Sequence, residues 1–100
     1  MDTKLTIEQI ESMIACYPWS PFYIRNNIVI PNVSWGFLNH EADLLVVTRE
    51  KRLIEVEIKR SWQDFITDFK KRHHHSDKKL FKMYYAVPIS IAEKVFDFLY

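Results

Sequence analysis

Two hydrophobic periods alternate along this chain, and each change of period marks an element. Near the N-terminus Ile7, Ile10, Met13, Ile14 and Tyr17 recur at helical spacing, which places one apolar stripe on a helix. Thr6 followed by Gln9 has the form of a capping box and sets its start. Pro18 and Pro21 end it. Asn27 to Pro31 is β-rich and predicts a short strand. Asn32 to His40 predicts a loop that carries Trp35 and Phe37. The run from Ala42 to Val47 is apolar on both faces, as in a strand covered on both sides, with Glu41 and Asp43 at its entrance. Leu53 to Lys59 alternates strictly: Ile54, Val56 and Ile58 point one way, Glu55, Glu57 and Lys59 the other. Residues Thr48 to Arg52 join these two runs as a hairpin, which brings Asp43 towards Glu57.

The period then returns to helical. Ser61 caps a helix, with Asp64 at the reciprocal position, and Trp62, Phe65, Ile66 and Phe69 form its stripe. Asp64 and Asp68 share a different face. The helix ends in Lys70-Lys-Arg-His-His-His75. Phe81 to Val87 predicts a fourth strand, ended by Pro88, and a last helix starts at Ser90 or Ile91 and carries Ala92, Val95, Phe96 and Leu99. Helix, three strands, helix, strand, helix predicts an α/β fold, a three-layer α/β/α sandwich around a mixed sheet of four or more strands.

One hundred residues make one domain, spanning 1–100. Such a chain buries roughly 65% of its unfolded surface. Apolar content is high and Gly36 is the only glycine, which excludes a disordered or low-complexity chain. The single cysteine, Cys16, excludes an intramolecular disulfide and fits a reducing, cytoplasmic setting. The N-terminus carries Asp2, Glu8 and Glu11, unlike a signal peptide, and no apolar run approaches the ~20 residues of a membrane span. Net charge is only +1, but its distribution is uneven: acids gather in the middle strands and bases between Lys70 and Lys82.

That distribution points to chemistry. Glu57 and Lys59 are same-face neighbours on a strand, roughly 6–7 Å apart, and Asp43 faces them across the hairpin. Clustered carboxylates repel, and burial raises the free energy of ionising them. A hard divalent cation relieves both, and a nearby lysine offsets part of the charge. Asp43, Glu57 and Lys59 are therefore the candidate catalytic set. Asp43 and Glu57, with Glu41 and Glu55 as accessory ligands, are candidates for holding Mg²⁺ or Mn²⁺; a zinc site would more usually use cysteines and spaced histidines. The alternative is a salt-bridged polar strand face exposed to solvent. Lys70, Lys71, Arg72, His73, Lys78 and Lys79 are candidate phosphate contacts. Bases at a helix C-terminus also suit its dipole, and His73, His74 and His75 fan out over at least about 200° of arc, so they cannot all serve one ion. Trp35 and Phe37 either cover the edge of the core or stack on an unpaired base.

Asp43 on one strand, then Glu57-Ile58-Lys59 on the next, then a helix, resembles the PD-(D/E)xK, or restriction-endonuclease-like, nuclease superfamily. The stretch HEADLLVV…EVEIK…DFKKRHHH is most similar to small MmcB-like DNA-repair proteins. The likeness covers about the middle half of the chain, and Ala42 stands where the name-giving proline would be. The resemblance implies a nuclease core, Mg²⁺-dependent hydrolysis of DNA phosphodiesters in repair or in phage or mobile-element DNA processing, and the backbone carbonyl of Ile58 as a further ligand. It also implies an acid on the first helix at the metal site in some members. In this chain Glu8 and Glu11 need no such role, because acids in a first helical turn favour the dipole. Further chain beyond Tyr100, with another strand, is expected by the same likeness, so the domain is C-terminally truncated or its last helix is completed by a partner, as in a homodimer. Two other readings are a nucleic-acid-binding module without turnover, and an interaction domain whose acids pair with Arg49, Lys51 and Arg52.

Overall fold

The structure is a computed structural model and describes residues 4–33, 41–70 and 79–100. The described residues form a small mixed α/β domain of three helices and four strands: α1 (Ile7–Cys16), β1 (Ile28–Val33), β2 (Ala42–Val47), β3 (Leu53–Ile58), α2 (Trp62–Phe69), β4 (Lys82–Ala86) and α3 (Ile89–Leu99). The strands make one mixed sheet in the order β1-β2-β3-β4. The first two pairings are antiparallel, and β3 pairs with β4 in parallel. A hairpin needs only a short turn, whereas a parallel neighbour needs a crossover. Here α2 lies within that crossover.

Local sequence sets the ends. The Thr6 hydroxyl accepts the Gln9 N–H at 3.1 Å, and the Gln9 side chain accepts the Thr6 N–H at 2.8 Å, so both halves of the capping box form. The β2–β3 turn closes on Thr48, whose carbonyl accepts the Lys51 N–H at 2.9 Å and whose hydroxyl accepts the Arg52 N–H at 3.1 Å. Lys51 takes φ 63°, in the left-handed region, at an intrinsic cost of about 1–2 kcal/mol for a side chain with a Cβ. β1 runs past Pro31 to Val33 instead of stopping there, because an edge strand tolerates a missing donor. The last helix begins at Ile89, directly after Pro88 as N-cap and without a side-chain cap, one residue ahead of the expected start at Ser90 or Ile91.

The two strand phases lead to different helices. Leu44, Val46, Ile54, Val56 and Ile58 cluster with Phe22, and Ile7, Ile10 and Ile14 of α1 pack on them. Met13 and Tyr17 belong to the same periodic stripe yet remain substantially exposed. Phe65, Ile91 and Val95 form a second cluster with Trp62, Phe69, Tyr85 and Val87. Phe65 is fully buried and meets Tyr85 edge-to-face at 5.0 Å and Phe98 at 5.7 Å. A phenylalanine buried to this degree contributes roughly 1.5–3 kcal/mol. No helix among the described residues is long and apolar enough to cross a membrane.

Candidate active site

The acids of β3 are buried. Glu55 is 0% exposed, Glu57 4% and Lys59, just past the strand, 9%. This excludes the solvent-exposed, salt-bridged strand face. Of the bases on the β2–β3 turn, Arg49 donates to Asn26 at 3.0 Å, and the Arg52 guanidinium lies over the Phe81 ring at 4.3 Å.

The site forms where the sheet opens. The β2–β3 register ends at Leu44↔Val56, one rung short of Asp43 and Glu57. On the other side, the β1–β2 register passes from Pro31↔Leu44 to Val33↔Ala42 over Asn32, which adopts φ 55°. Asp43 thus sits at a break in both ladders. Its Oδ2 accepts the Ile58 N–H at 2.7 Å, so a side-chain oxygen does what a ladder carbonyl would otherwise do. This anchors the carboxyl beside Glu57, and the Asp43, Glu55 and Glu57 side chains hydrogen-bond through Glu57.

Such a contact between carboxyls needs a proton. Burial, then the hydrogen bonds to Asp43 and Glu55, then their charges, push the Glu57 carboxyl up to about 10. It therefore carries a proton at neutral pH, which lets it donate within the buried cluster.

Glu11 is the residue that sequence reasoning passed over. Because α1 begins at Ile7, Glu11 lies in the second turn, beyond the reach of the dipole argument; only Glu8 is in the first. Glu11 is 8% exposed, and its Oε2 has no hydrogen-bond partner among the described residues. Its pKa is raised by burial first, then by the charges of Asp43 and Glu8. An acid from α1 thus points its field at Asp43 from a different element. The spacing of Glu11 from Ile7, Ile10 and Ile14 on one helix was the available signal: it borders the buried stripe.

The other candidates separate. Lys59 Nζ pairs with Asp68 Oδ1 of α2 at 3.3 Å, and the Lys59 N–H donates to the Ala86 carbonyl at 3.0 Å. Glu41 is exposed, and its charge is not among those that shift Glu11 or Glu57. Ile58 enters the site through its N–H. Lys70 is exposed at the C-cap of α2 and Lys79 is exposed before β4. Lys71, Arg72, His73 and Lys78 lie outside the described residues, as do Trp35 and Phe37.

As they stand, no three His, Cys, Asp or Glu side chains among the described residues are set to hold a metal ion. The donor chemistry nonetheless fits a hard cation: Glu11, Asp43 and Glu57 are oxygen donors from three elements, and Glu11 keeps a buried oxygen with no hydrogen bond among the described residues. The comparisons with known proteins add no family: no family model, no curated protein and no solved structure matches this chain.

Proposed function

We propose that this chain is a metal-dependent nuclease that hydrolyses DNA phosphodiesters, built on a three-layer α/β/α sandwich of the restriction-endonuclease-like kind. The observation that carries the reading is the buried Asp43–Glu57 carboxyl pair at a break in the sheet, with Lys59 two residues on. A buried acid held protonated has no structural task that a glutamine could not perform, whereas its anion is what a cation site requires. Glu11, Asp43 and Glu57 would hold Mg²⁺ or Mn²⁺, with Glu55 behind Glu57 and the Ile58 carbonyl as a further oxygen. When bound, that cation supplies charge neutralisation at the scissile phosphate and an acidified water.

The chain's own residues do the rest. Asp43, fixed by the Ile58 N–H, holds a donor oxygen in one orientation. Glu57 releases its proton on loading. Lys59 places positive charge where negative charge develops on the phosphate, and Asp68 keeps the ammonium at the rim until a phosphate competes for it. Lys70 and Lys79 lie on the basic segment proposed to contact the backbone. Cytoplasmic DNA repair or mobile-element DNA processing suits such an enzyme. α3, which leaves Phe96 and Tyr100 exposed, is the surface proposed for a homodimer.

A non-catalytic nucleic-acid-binding module is the second reading, favoured by the engagement of the Lys59 ammonium by Asp68. Incubation with single-stranded, duplex and branched DNA under Mg²⁺, Mn²⁺ or EDTA separates the two. The nuclease cuts at least one substrate with a cation and none with EDTA; the module binds in EDTA and cuts nothing.

A further inference from the structure

A cavity of about 590 Å³ opens between α1 and the corner from β4 to α3. Met13, Ile14, Tyr17, Trp19 and Ile89 supply its apolar wall, and Lys59 is the charged residue among its described lining. The volume lies within the range of sites that enclose a small molecule. Trp19 is 87% exposed and stands edge-to-face to Tyr17 at 6.3 Å between ring centres. Exposed Met13, Tyr17 and Ile89 continue the same patch, and a contiguous apolar patch of this kind marks a binding surface more often than chance.

We propose that this cavity is a subsite for one unpaired nucleotide of a nucleic acid strand, its base against Trp19 and Tyr17 and its phosphate at Lys59. The inference rests on the nuclease reading for the position of the strand. Three features select this occupant. The wall is aromatic and flat-sided at the rim, which suits a base face. The charged residue in its described lining is a lysine, whose ammonium Asp68 Oδ1 holds at 3.3 Å and for which a phosphate would compete. Lys59 lines the cavity and follows Glu57 by two residues in the sequence, so a phosphate that competes with Asp68 for its ammonium would join the cavity to the proposed active site. A paired base has both faces covered by its stack and cannot enter a chamber beside a helix; an unpaired base can. The substrate class is therefore a single strand, or a duplex with an unpaired end or flap.

The test is the affinity of full-length protein for a fluorescent oligothymidylate and for a blunt duplex, by anisotropy, in EDTA and again in Ca²⁺. Trp19→Ala removes an exposed ring, and Trp19→Phe restores a stacking face. The subsite predicts that Trp19→Ala weakens the single strand about tenfold, that Trp19→Phe recovers most of the loss, and that blunt-duplex affinity stays within about twofold. An unchanged single-strand affinity, an equal loss on both probes, or a wild type that binds no single strand overturns it. So does a cavity that takes up dodecanoate while oligothymidylate binding is undisturbed, or a Trp19→Ala protein whose altered property is a dimer lost in sedimentation. Cleavage is not read, so a protein that never cuts leaves this test intact, and one that cuts but ignores Trp19 overturns the subsite alone.

Discussion

Asp43 and Ile58 are joined by a 2.7 Å hydrogen bond from a backbone N–H to a carboxylate oxygen, at the rung where the β2–β3 ladder has already stopped. One side chain therefore has two tasks: it completes the sheet and it furnishes the proposed cation site. Substitutions divide these tasks. Asp43→Ala leaves the Ile58 N–H without its partner and should lower stability by about 1–3 kcal/mol. Asp43→Asn keeps an acceptor oxygen and should stay near wild-type stability. Both should abolish cation binding and cleavage. Urea unfolding of the two variants beside nuclease assays checks this; equal stability losses would mean that the hydrogen bond does not hold the strand end.

Glu57 should give the cation-free protein an inverted pH dependence. Its folded pKa, about 10, lies above the ordinary value of 4.5. Between those values the native state holds a proton that the unfolded chain has lost, so stability falls as pH rises. The contribution is fully present below pH 4.5, is lost through pH 10, and has a limiting slope of about 1.4 kcal/mol per pH unit. Melting in EDTA from pH 5 to 9 should show the decline, and Glu57→Gln should flatten it and be the more stable protein at the alkaline end. A wild type whose stability rises across that range would mean that Glu57 ionises freely.

Much of this is legible in the sequence. The strict alternation of Ile54, Glu55, Val56, Glu57 and Ile58 places both acids on one face, and a short hairpin brings Asp43 towards Glu57. Thr6 and Gln9 declared the start of α1. What escaped was whatever depends on one element meeting another. Met13 and Tyr17 fit the helical period as well as Ile10 and Ile14, yet it is the isoleucines that pack on the sheet cluster while Met13 and Tyr17 stay exposed. Lys59 shares a phase with Glu57, but its ammonium goes to Asp68, a partner visible only once α2 is laid down. Glu11 is not a dipole acid, because the Thr6 cap that the sequence itself declares already puts it in the second turn; its burial near Asp43 is what the sequence does not show.

Glu11 should behave as a site residue rather than a cap. Glu11→Gln removes a buried acid whose pKa burial and Asp43 have raised, so the cation-free protein should be no less stable, and more stable at alkaline pH. Cleavage should fall by about ten- to a hundredfold, the usual loss when a supporting group of a metal site is removed. Steady-state rates and melting curves in EDTA check both halves. Reduced stability with normal cleavage would assign Glu11 to packing.

Lys59 should separate turnover from binding. Lys59→Ala is expected to cut the rate by roughly a hundredfold or more, as loss of one preorganised charge does, with DNA affinity little changed because one cation among many contributes modestly. Replacing Lys70 and Lys79 should do the reverse, lowering affinity and flattening its salt dependence by about one unit of slope per phosphate contact. Wild-type rates for a folded Lys59→Ala protein would take Lys59 out of the chemistry.

The central claim is that Asp43 and Glu57, with Glu11, make a divalent-cation site. Calorimetric titration of Mn²⁺ into the wild type and into Asp43→Asn, at neutral pH and without nucleic acid, tests it most directly. The account predicts saturable binding by the wild type and none by Asp43→Asn, although both are folded. Equal binding by the two proteins, or none by the wild type, would contradict it.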